Sequence, residues 1–255
     1  MKPNPELRKR ISEVFINYYS NPDIRKYITE AHRFKETGLI AVTNDKEFPK
    51  KKIRNLKLDL ISSFDYTILN ALRYFKEPYN VYHSCATYKN GLPIFFNNGM
   101  SKEEVNAKKE EWKNTRNDKI TSFDYFLDID SPSFETLPVI AQSTLEIYNF
   151  LKEYNENVKV IFSGCGFHLT IKDYIKGKPT LEEIETLRSD AKKINEMFSE
   201  FVDYGVVEYK RIKKTPNTLV YREGYKNIML CKEVENIEEL KNFKYKNYIY
   251  QKVKQ

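Results

Sequence analysis

The sequence predicts a chain of mixed helix and strand. Three observations carry that reading. Two capping boxes, Ser101-x-x-Glu104 and Thr180-x-x-Glu183, each open a charged segment of helical character. Runs of β-forming residues stand at 79–88, 123–130 and 158–162. Between the last two, residues 139–154 place Ile140, Leu145, Tyr148 and Leu151 roughly on one helical face. The 255 residues are 40% hydrophobic and 14% aromatic, enough apolar material for a sizeable core.

The elements follow in order. Residues 6–18 and 23–35 read as two helices, broken at Tyr19-Ser20-Asn21-Pro22 because Pro22 cannot continue the first. His32 is expected on a solvated helix face. A short strand is expected at 39–42. Then come a basic cluster (Lys50, Lys51, Lys52, Arg54) and a mostly helical stretch at 56–76. The strand at 79–88 ends at the turn-forming pair Asn90-Gly91. The first capped helix runs to about Lys113 and carries the single tryptophan, Trp112, as a packing anchor. The strand at 123–130 ends in acids, with Pro132 and Pro138 in the loop behind it. A buried-type strand at 158–162 resumes at 167–171 after Ser163-Gly164-Cys165-Gly166. The second capped helix runs to about Phe201, and 205–209 and 218–221 are further strand candidates. The C-terminal stretch 243–254 interleaves lysines with Phe243, Tyr245, Tyr248 and Tyr250. Residues 1–255 thus read as one unit: a helical and strand part at 1–120, a motif-bearing core at 121–225 and a basic, Tyr-rich tail at 226–255.

Composition narrows the function. Net charge is +7 with a pI near 9.0, which suits an anionic partner, nucleic acid above all, although solvated lysines give the same number. Glycine is scarce, 8 residues in 255, against a usual share of about 7%. Two familiar phosphate loops are absent. G-x-G-x-x-G fails at Leu169, and Gly177-Lys178 is followed by Pro179 rather than Ser or Thr. Three scattered cysteines without a C-x-x-C pair signal neither a disulfide framework nor a zinc module, so no zinc is expected. His83 and Cys85 could ligate a metal only with distant partners. A reducing cytoplasm fits this cysteine usage. The start, Met1-Lys2-Pro3-Asn4-Pro5, shows no signal-peptide core, and no run approaches the roughly 18 apolar residues of a membrane span.

Three local features can carry chemistry. In Asp128-Ile129-Asp130, residues i and i+2 of a strand project to one face, close enough to share a divalent cation. Two surface acids at a strand end would look the same. Asp124 shares their parity but lies at the other end of the strand. Ser163-Gly164-Cys165-Gly166-Phe167-His168 places a glycine pair between apolar strands, where exposed N–H groups suit phosphate. A tight hairpin with a buried, hydrogen-bonded histidine is the alternative. Asp203 precedes the basic stretch Lys210-Arg211-Ile212-Lys213-Lys214, suiting a metal ligand beside phosphate-contacting cations. A solvated charge run is the plain alternative, and Glu208 rivals Asp203 for the acidic role.

Taken in order, these segments resemble the archaeo-eukaryotic primase superfamily, most closely the small catalytic subunit of archaeal DNA primase. The acid-x-acid motif after an apolar strand is similar to Phe126-Leu127-Asp128-Ile129-Asp130. Ser-Gly-x-Gly-x-His is similar to Ser163–His168. Val202-Asp203-Tyr204-Gly205-Val206 and the basic stretch leading into Thr215-Pro216-Asn217-Thr218 match the later motifs. Tyr18-Tyr19 and Val81-Tyr82-x-Ser84-x-Ala86-x-Tyr88 extend the likeness upstream.

The resemblance implies an α/β (α+β) fold, an antiparallel or mixed sheet flanked by helices. It implies primer synthesis on a single-stranded DNA template by two-metal nucleotidyl transfer, with Mg²⁺ or Mn²⁺ and nucleoside triphosphates. Asp128, Asp130 and Asp203 would hold the metals. Ser163, Gly164, Gly166, His168, Arg211 and Lys214 would hold the triphosphate. A large primase subunit is an implied partner, and no membrane is. Two departures, Cys165 in a position often basic in the family and Val220 where archaeal members usually carry histidine, keep alternatives open. These are an inactive nucleic-acid-binding replication factor of the same fold and a metal-dependent nuclease.

Overall fold

A computed structural model describes residues 5–41, 52–58, 61–93, 100–208, 211–222 and 226–253. The helices are α1 (Pro5–Tyr19), α2 (Pro22–Ala31), α3 (Ile61–Phe64), α4 (Asn70–Phe75), α5 (Lys102–Thr115), α6 (Leu137–Lys152) and α7 (Leu181–Phe198). The strands are β1 (Lys35–Ala41), β2 (Lys52–Leu56), β3 (Tyr79–Tyr88), β4 (Ile120–Asp130), β5 (Val158–Phe162), β6 (Gly166–Lys176), β7 (Val202–Asp203), β8 (Ile212–Lys214), β9 (Thr218–Val220), β10 (Asn227–Glu233) and β11 (Ile249–Lys252).

The strands pair antiparallel in the order β11-β10-β5-β6-β4-β3-β1-β2, with β7 beside β4, β8 beside β3 and β9 beside β10. The fold is therefore mixed α/β, built on an antiparallel sheet. β3 meets β4 only through its C-terminal half, at Ala86–Tyr88. The short strands β7 and β8 add to the facing edges of β4 and β3 where those two are not paired with each other.

Two apolar clusters hold the layers together. Leu127 and Ile129 of β4 and Phe167 and Leu169 of β6 pack against Ile140, Ala141 and Leu145 of α6 and Ile184, Leu187 and Ala191 of α7. The second cluster joins Ile11, Phe15 and Tyr19 of α1 to Ile28 of α2, Leu39, Leu72, Val81 and Leu219. Tyrosines tie α1 to β9 and the residue before it: the Tyr18 hydroxyl donates to the Asn217 carbonyl at 3.0 Å, and the Tyr19 hydroxyl accepts from the Leu219 N–H at 3.1 Å. The upstream Tyr-Tyr pair is thus a structural clamp.

Locally strong signals match the structure. β3 has the expected limits, and both capping boxes close reciprocally, at Ser101/Glu104 and Thr180/Glu183. Trp112 is buried against Tyr88, with rings 5.2 Å apart. Other expectations need correction. The second helix stops at Ala31 rather than 35, because Phe34 takes a left-handed φ of +65° and Lys35 begins β1. Residue 56 is not helical: Leu56 pairs with Thr37 in β2, and helix begins at Ile61. Pro138 lies in the first turn of α6 rather than in a loop, where its missing N–H leaves no bond unmade. The last long helix ends at Phe198 rather than 201, since Ser199 is extended. The strand expected at 205–209 is instead a 3₁₀ turn at Tyr204–Val206; residues 209 and 210 lie outside the described residues, as do Lys50 and Lys51.

The C-terminal segment is built into the fold. β10 pairs with β5, β9 and β11. Phe243 and Tyr248 are buried, and Tyr245 stacks on Phe134 at 4.8 Å. These three rings serve the packing of the segment, whereas Tyr250 is exposed. Among the described residues, no helix is long and apolar enough to cross a membrane.

Candidate functional site

The site grows out of the end of β4. Its alternation buries Leu127 and Ile129 under α6 and turns Asp128 and Asp130 to the other face. Antiparallel register then fixes the neighbours. Asp128 lies opposite His168 on β6 and opposite Asp203 on β7, and Asp130 lies opposite Gly166. Three segments far apart in sequence are thereby brought to adjacent strand positions. Asp203, rather than Glu208, is the acid placed across from Asp128. The Asp203 Oδ1 accepts the Gly205 N–H at 2.9 Å, which turns the chain after β7.

Ser163 to Gly166 form a tight β5–β6 hairpin, closed by the Ser163 N–H donating to the Gly166 carbonyl at 2.9 Å. Gly164 has a φ of +91° at the first of the two turn positions, where a type II′ hairpin takes glycine. Gly166 has a different reason: a Cβ there would lie 2.1 Å from the Ile129 carbonyl oxygen. Its absence lets β6 close on β4 beside Asp130. Strand approach, rather than a phosphate, therefore accounts for Gly166.

Opposite charges converge on Asp128. Arg211 Nη2 donates to Asp128 Oδ2 at 2.9 Å. His168 Nε2 stands 3.3 Å from Oδ1, outside hydrogen-bond geometry. Burial alone would raise the Asp128 pKa, but His168, Lys214 and Arg211 outweigh it and hold the carboxyl at about 2. Asp130 moves the other way, raised by burial and by the charge of Asp128. His168 is lowered by burial, against the pull of Asp128, and is neutral at pH 7. Lys214 is raised: burial opposes its charge, but Cys165, Tyr82, Asp128 and Asp130 overcome it. Its Nζ sits 3.3 Å from the Cys165 Sγ.

Residues 211–214 of the basic stretch are not a solvated charge run. Lys213 is 4% exposed, and its Nζ donates to Asp124 Oδ2 at 2.9 Å and to Thr170 Oγ1 at 2.6 Å. Lys35 donates to the same Asp124 oxygen at 3.0 Å. Asp124 is thus a buried counter-ion, not a further site acid. Phe126 lies between the two carboxylates, with Arg211 and Lys213 over its ring at 5.7 and 6.0 Å.

His32 is buried rather than solvated. Its Nδ1 contacts Thr37 Oγ1 at 2.6 Å and its Nε2 contacts Thr215 Oγ1 at 2.8 Å, while His83 Nδ1 reaches the same Thr215 oxygen at 3.0 Å. Sequence reasoning missed this His32–Thr215–His83 bridge. The signal available was a histidine just after a helix whose apolar face is buried.

Four polar atoms around the acids have no partner despite burial: Asp128 Oδ1, Ser163 Oγ, His168 Nδ1 and Arg211 Nε. Buried polar atoms are normally paired, so their clustering marks a place suited to a polar ligand. Among the described residues, no group of three or more His, Cys, Asp or Glu stands gathered to hold a metal ion. The pairs Asp128/Asp130 and Asp128/Asp203 still have the chemistry of a Mg²⁺ site, which often uses one or two carboxylates with substrate phosphates and water. Compared with known proteins, the chain matches no family model and no curated protein.

Proposed function

We propose that this chain is a metal-dependent nucleotidyltransferase of the primase-polymerase kind, extending a nucleotide chain on single-stranded DNA. One observation carries the proposal: antiparallel register sets Asp128 across from both His168 and Asp203, and Asp130 across from Gly166. The acid-x-acid, Ser-Gly-x-Gly-x-His and Val-Asp segments thus share one sheet face, as a phosphoryl-transfer site requires. The four unpartnered polar atoms around Asp128 support it.

In this reading Asp128, Asp130 and Asp203 hold Mg²⁺ or Mn²⁺. Held there, a divalent ion would supply Lewis-acid chemistry, a lower pKa for a 3′-hydroxyl and charge neutralisation at a triphosphate. Arg211 turns from Asp128 toward the phosphates, where its planar fork can reach two oxygens. Lys214 adds a charge that stays protonated throughout the working range. The Ser163 hydroxyl donates to a phosphate oxygen. His168 offers Nδ1 to a phosphate only when doubly protonated, because Nε2 faces Asp128; triphosphate charge favours that state. Positive charge elsewhere on the chain supports a salt-dependent grip on template. A large primase subunit belongs to the same proposal.

The test is an extension assay with labelled nucleotides, single-stranded template and Mg²⁺ or Mn²⁺. Expected is incorporation that Asp128→Ala abolishes while template binding persists. Template binding without incorporation under either metal overturns the enzyme reading in favour of an inactive binding factor. Template degradation overturns it in favour of a nuclease.

A further inference from the structure

Tyr18, Tyr27 and Tyr250 come from three separate segments, and their rings gather beside the acidic site. Local structure explains how each arrives. Tyr27 belongs to α2 and is 38% exposed. Tyr250 is the extra residue of a β-bulge: Ile228 pairs with Gln251 and Met229 with Ile249, so β10 passes it over. A bulge re-aims a side chain. This one sets the Tyr250 ring against Tyr18, 5.1 Å away and edge-on at 77°, yet leaves Tyr250 45% exposed. Tyr18 is half-buried at the end of α1. Burial raises its pKa, and Tyr250, Cys231 and Tyr27 push the same way, so all three lie near its hydroxyl.

The chain itself limits the distance from these rings to the acids. The Tyr18 hydroxyl donates to the Asn217 carbonyl at 3.0 Å. Asn217 lies three residues after Lys214, a stretch that spans at most about 11 Å. The segment between them is a tight turn: the Thr218 hydroxyl donates to the Thr215 carbonyl at 2.6 Å, and Asn217 takes a φ of +57°. The Asn217 N–H donates to the Cys231 carbonyl at 2.7 Å, which pins the turn to β10. The tyrosines therefore stand within a few nucleotides' length of Lys214, whose charge acts on Asp128 and Asp130. Ring geometry adds a second argument. An edge-to-face pair uses the edge of one ring and one face of the other, so ring faces remain for a base to cover. The carboxylate that acts on Tyr27, Glu233, is itself paired with Lys159 at 3.0 Å.

We propose that Tyr250 and Tyr27 form a base-stacking platform for the single strand that runs into the acidic site, with Tyr18 as its buttress. The occupant is unpaired nucleic acid, because successive bases of a single strand can each lay a face on an aromatic side chain. This inference rests on the reading of the acidic site as one that extends a nucleotide chain on single-stranded DNA.

The test is equilibrium binding of the full chain in EDTA to a labelled DNA single strand, to its duplex, and to the same strand carrying 2-aminopurine. The single strand binds more tightly than the duplex, and stacking quenches the 2-aminopurine. Tyr250→Ala and Tyr27→Ala each weaken single-strand binding about tenfold, within what one base stacked on an aromatic ring contributes. Both leave the salt dependence of binding unchanged, because phosphate contacts set it. Tyr250→Phe keeps the ring and retains wild-type affinity and quenching. Tyr154→Ala, which removes a 75% exposed tyrosine just after α6, changes nothing. Melting temperatures check that each variant is folded, and the α2 and β11 variants test the platform independently. Binding unaltered in both alanine variants, or weakened equally in Tyr154→Ala, overturns the platform. Equal affinity for single strand and duplex, or no saturable binding, overturns nucleic acid as the occupant in favour of a protein partner. Extension is read separately in Mg²⁺. Binding that depends on Tyr250 in a chain that extends nothing overturns the transferase reading alone; extension with binding unaltered in both alanine variants overturns the platform alone.

Discussion

Asp128 and Asp203 occupy directly opposed positions on the adjacent antiparallel strands β4 and β7. Like charges so placed destabilise a sheet by about 0.2–1 kcal/mol. We expect Asp203→Asn to raise the melting temperature in EDTA by about 1–3 °C for a chain of this size. Asparagine keeps an Oδ1 acceptor for the Gly205 N–H, so the turn persists. On the proposed metal-holding role of Asp203, the order should reverse in Mg²⁺, where the wild type would gain more from the ion. Scanning calorimetry in both buffers checks this. Destabilisation of the variant in EDTA would count against the opposed-charge account.

Gly166→Ala should be far more damaging than its chemistry suggests. The added methyl would lie 2.1 Å from the Ile129 carbonyl oxygen and 3.0 Å from the Asp130 Cα, both backbone atoms that cannot step aside. Prying β6 from β4 should cost about 3 kcal/mol or more, the upper end for overpacking. Urea denaturation measures it. A loss below about 1 kcal/mol, the lower end of that range, would show that the strands are less closely held.

Asp124 is the shared counter-ion of Lys35 and Lys213. Asp124→Asn leaves two buried ammonium groups without a carboxylate and should cost about 3–5 kcal/mol. Its pKa is depressed: burial opposes the charge, but Lys213 and Lys35 prevail. The unfolded value is about 3.9, so its stabilisation is present above that pH and is lost as pH falls toward the folded value. Denaturant midpoints from pH 6 downward should therefore decline more shallowly in the variant. Parallel profiles would sink this assignment.

The bridge from His32 through Thr215 to His83 should make the protein acid-sensitive at milder pH. Burial first, then nearby Lys35, lowers His32 to about 3, and His83 is also lowered, chiefly by burial. A histidine with a depressed folded pKa contributes fully above its unfolded value of about 6.5 and progressively less below it. Stability should fall between pH 6.5 and 4 by about 1.4 kcal/mol per pH unit through His32, and His83 acts in the same direction. His32→Gln should flatten that slope while lowering stability at pH 7. An unchanged slope in the variant would show that the titrating groups lie elsewhere.

Elements whose signal is contained in about ten residues were legible before any tertiary contact was known. The strand Tyr79–Tyr88 and the helix starts at Ser101 and Thr180 are local, because β-branched and aromatic runs and reciprocal caps act within one or two turns of chain. The sequence also singled out Asp128, Asp130, Asp203 and His168 as residues worth placing together.

What those residues face depends on contacts between segments distant in the chain. β7 and β8 have two and three residues, too short to show a period, and exist because β4 and β3 leave edges for them. Lys213 reads as a surface lysine until Asp124, 89 residues earlier, draws it into the interior. His32 reads as a helix-face histidine until Thr215, 183 residues later, bridges it to His83. Gly166, which composition offered as a phosphate-loop glycine, is glycine because another strand passes where its side chain would be. Burial of charge and register between strands are properties of pairs distant in sequence, so they enter only when the sheet closes.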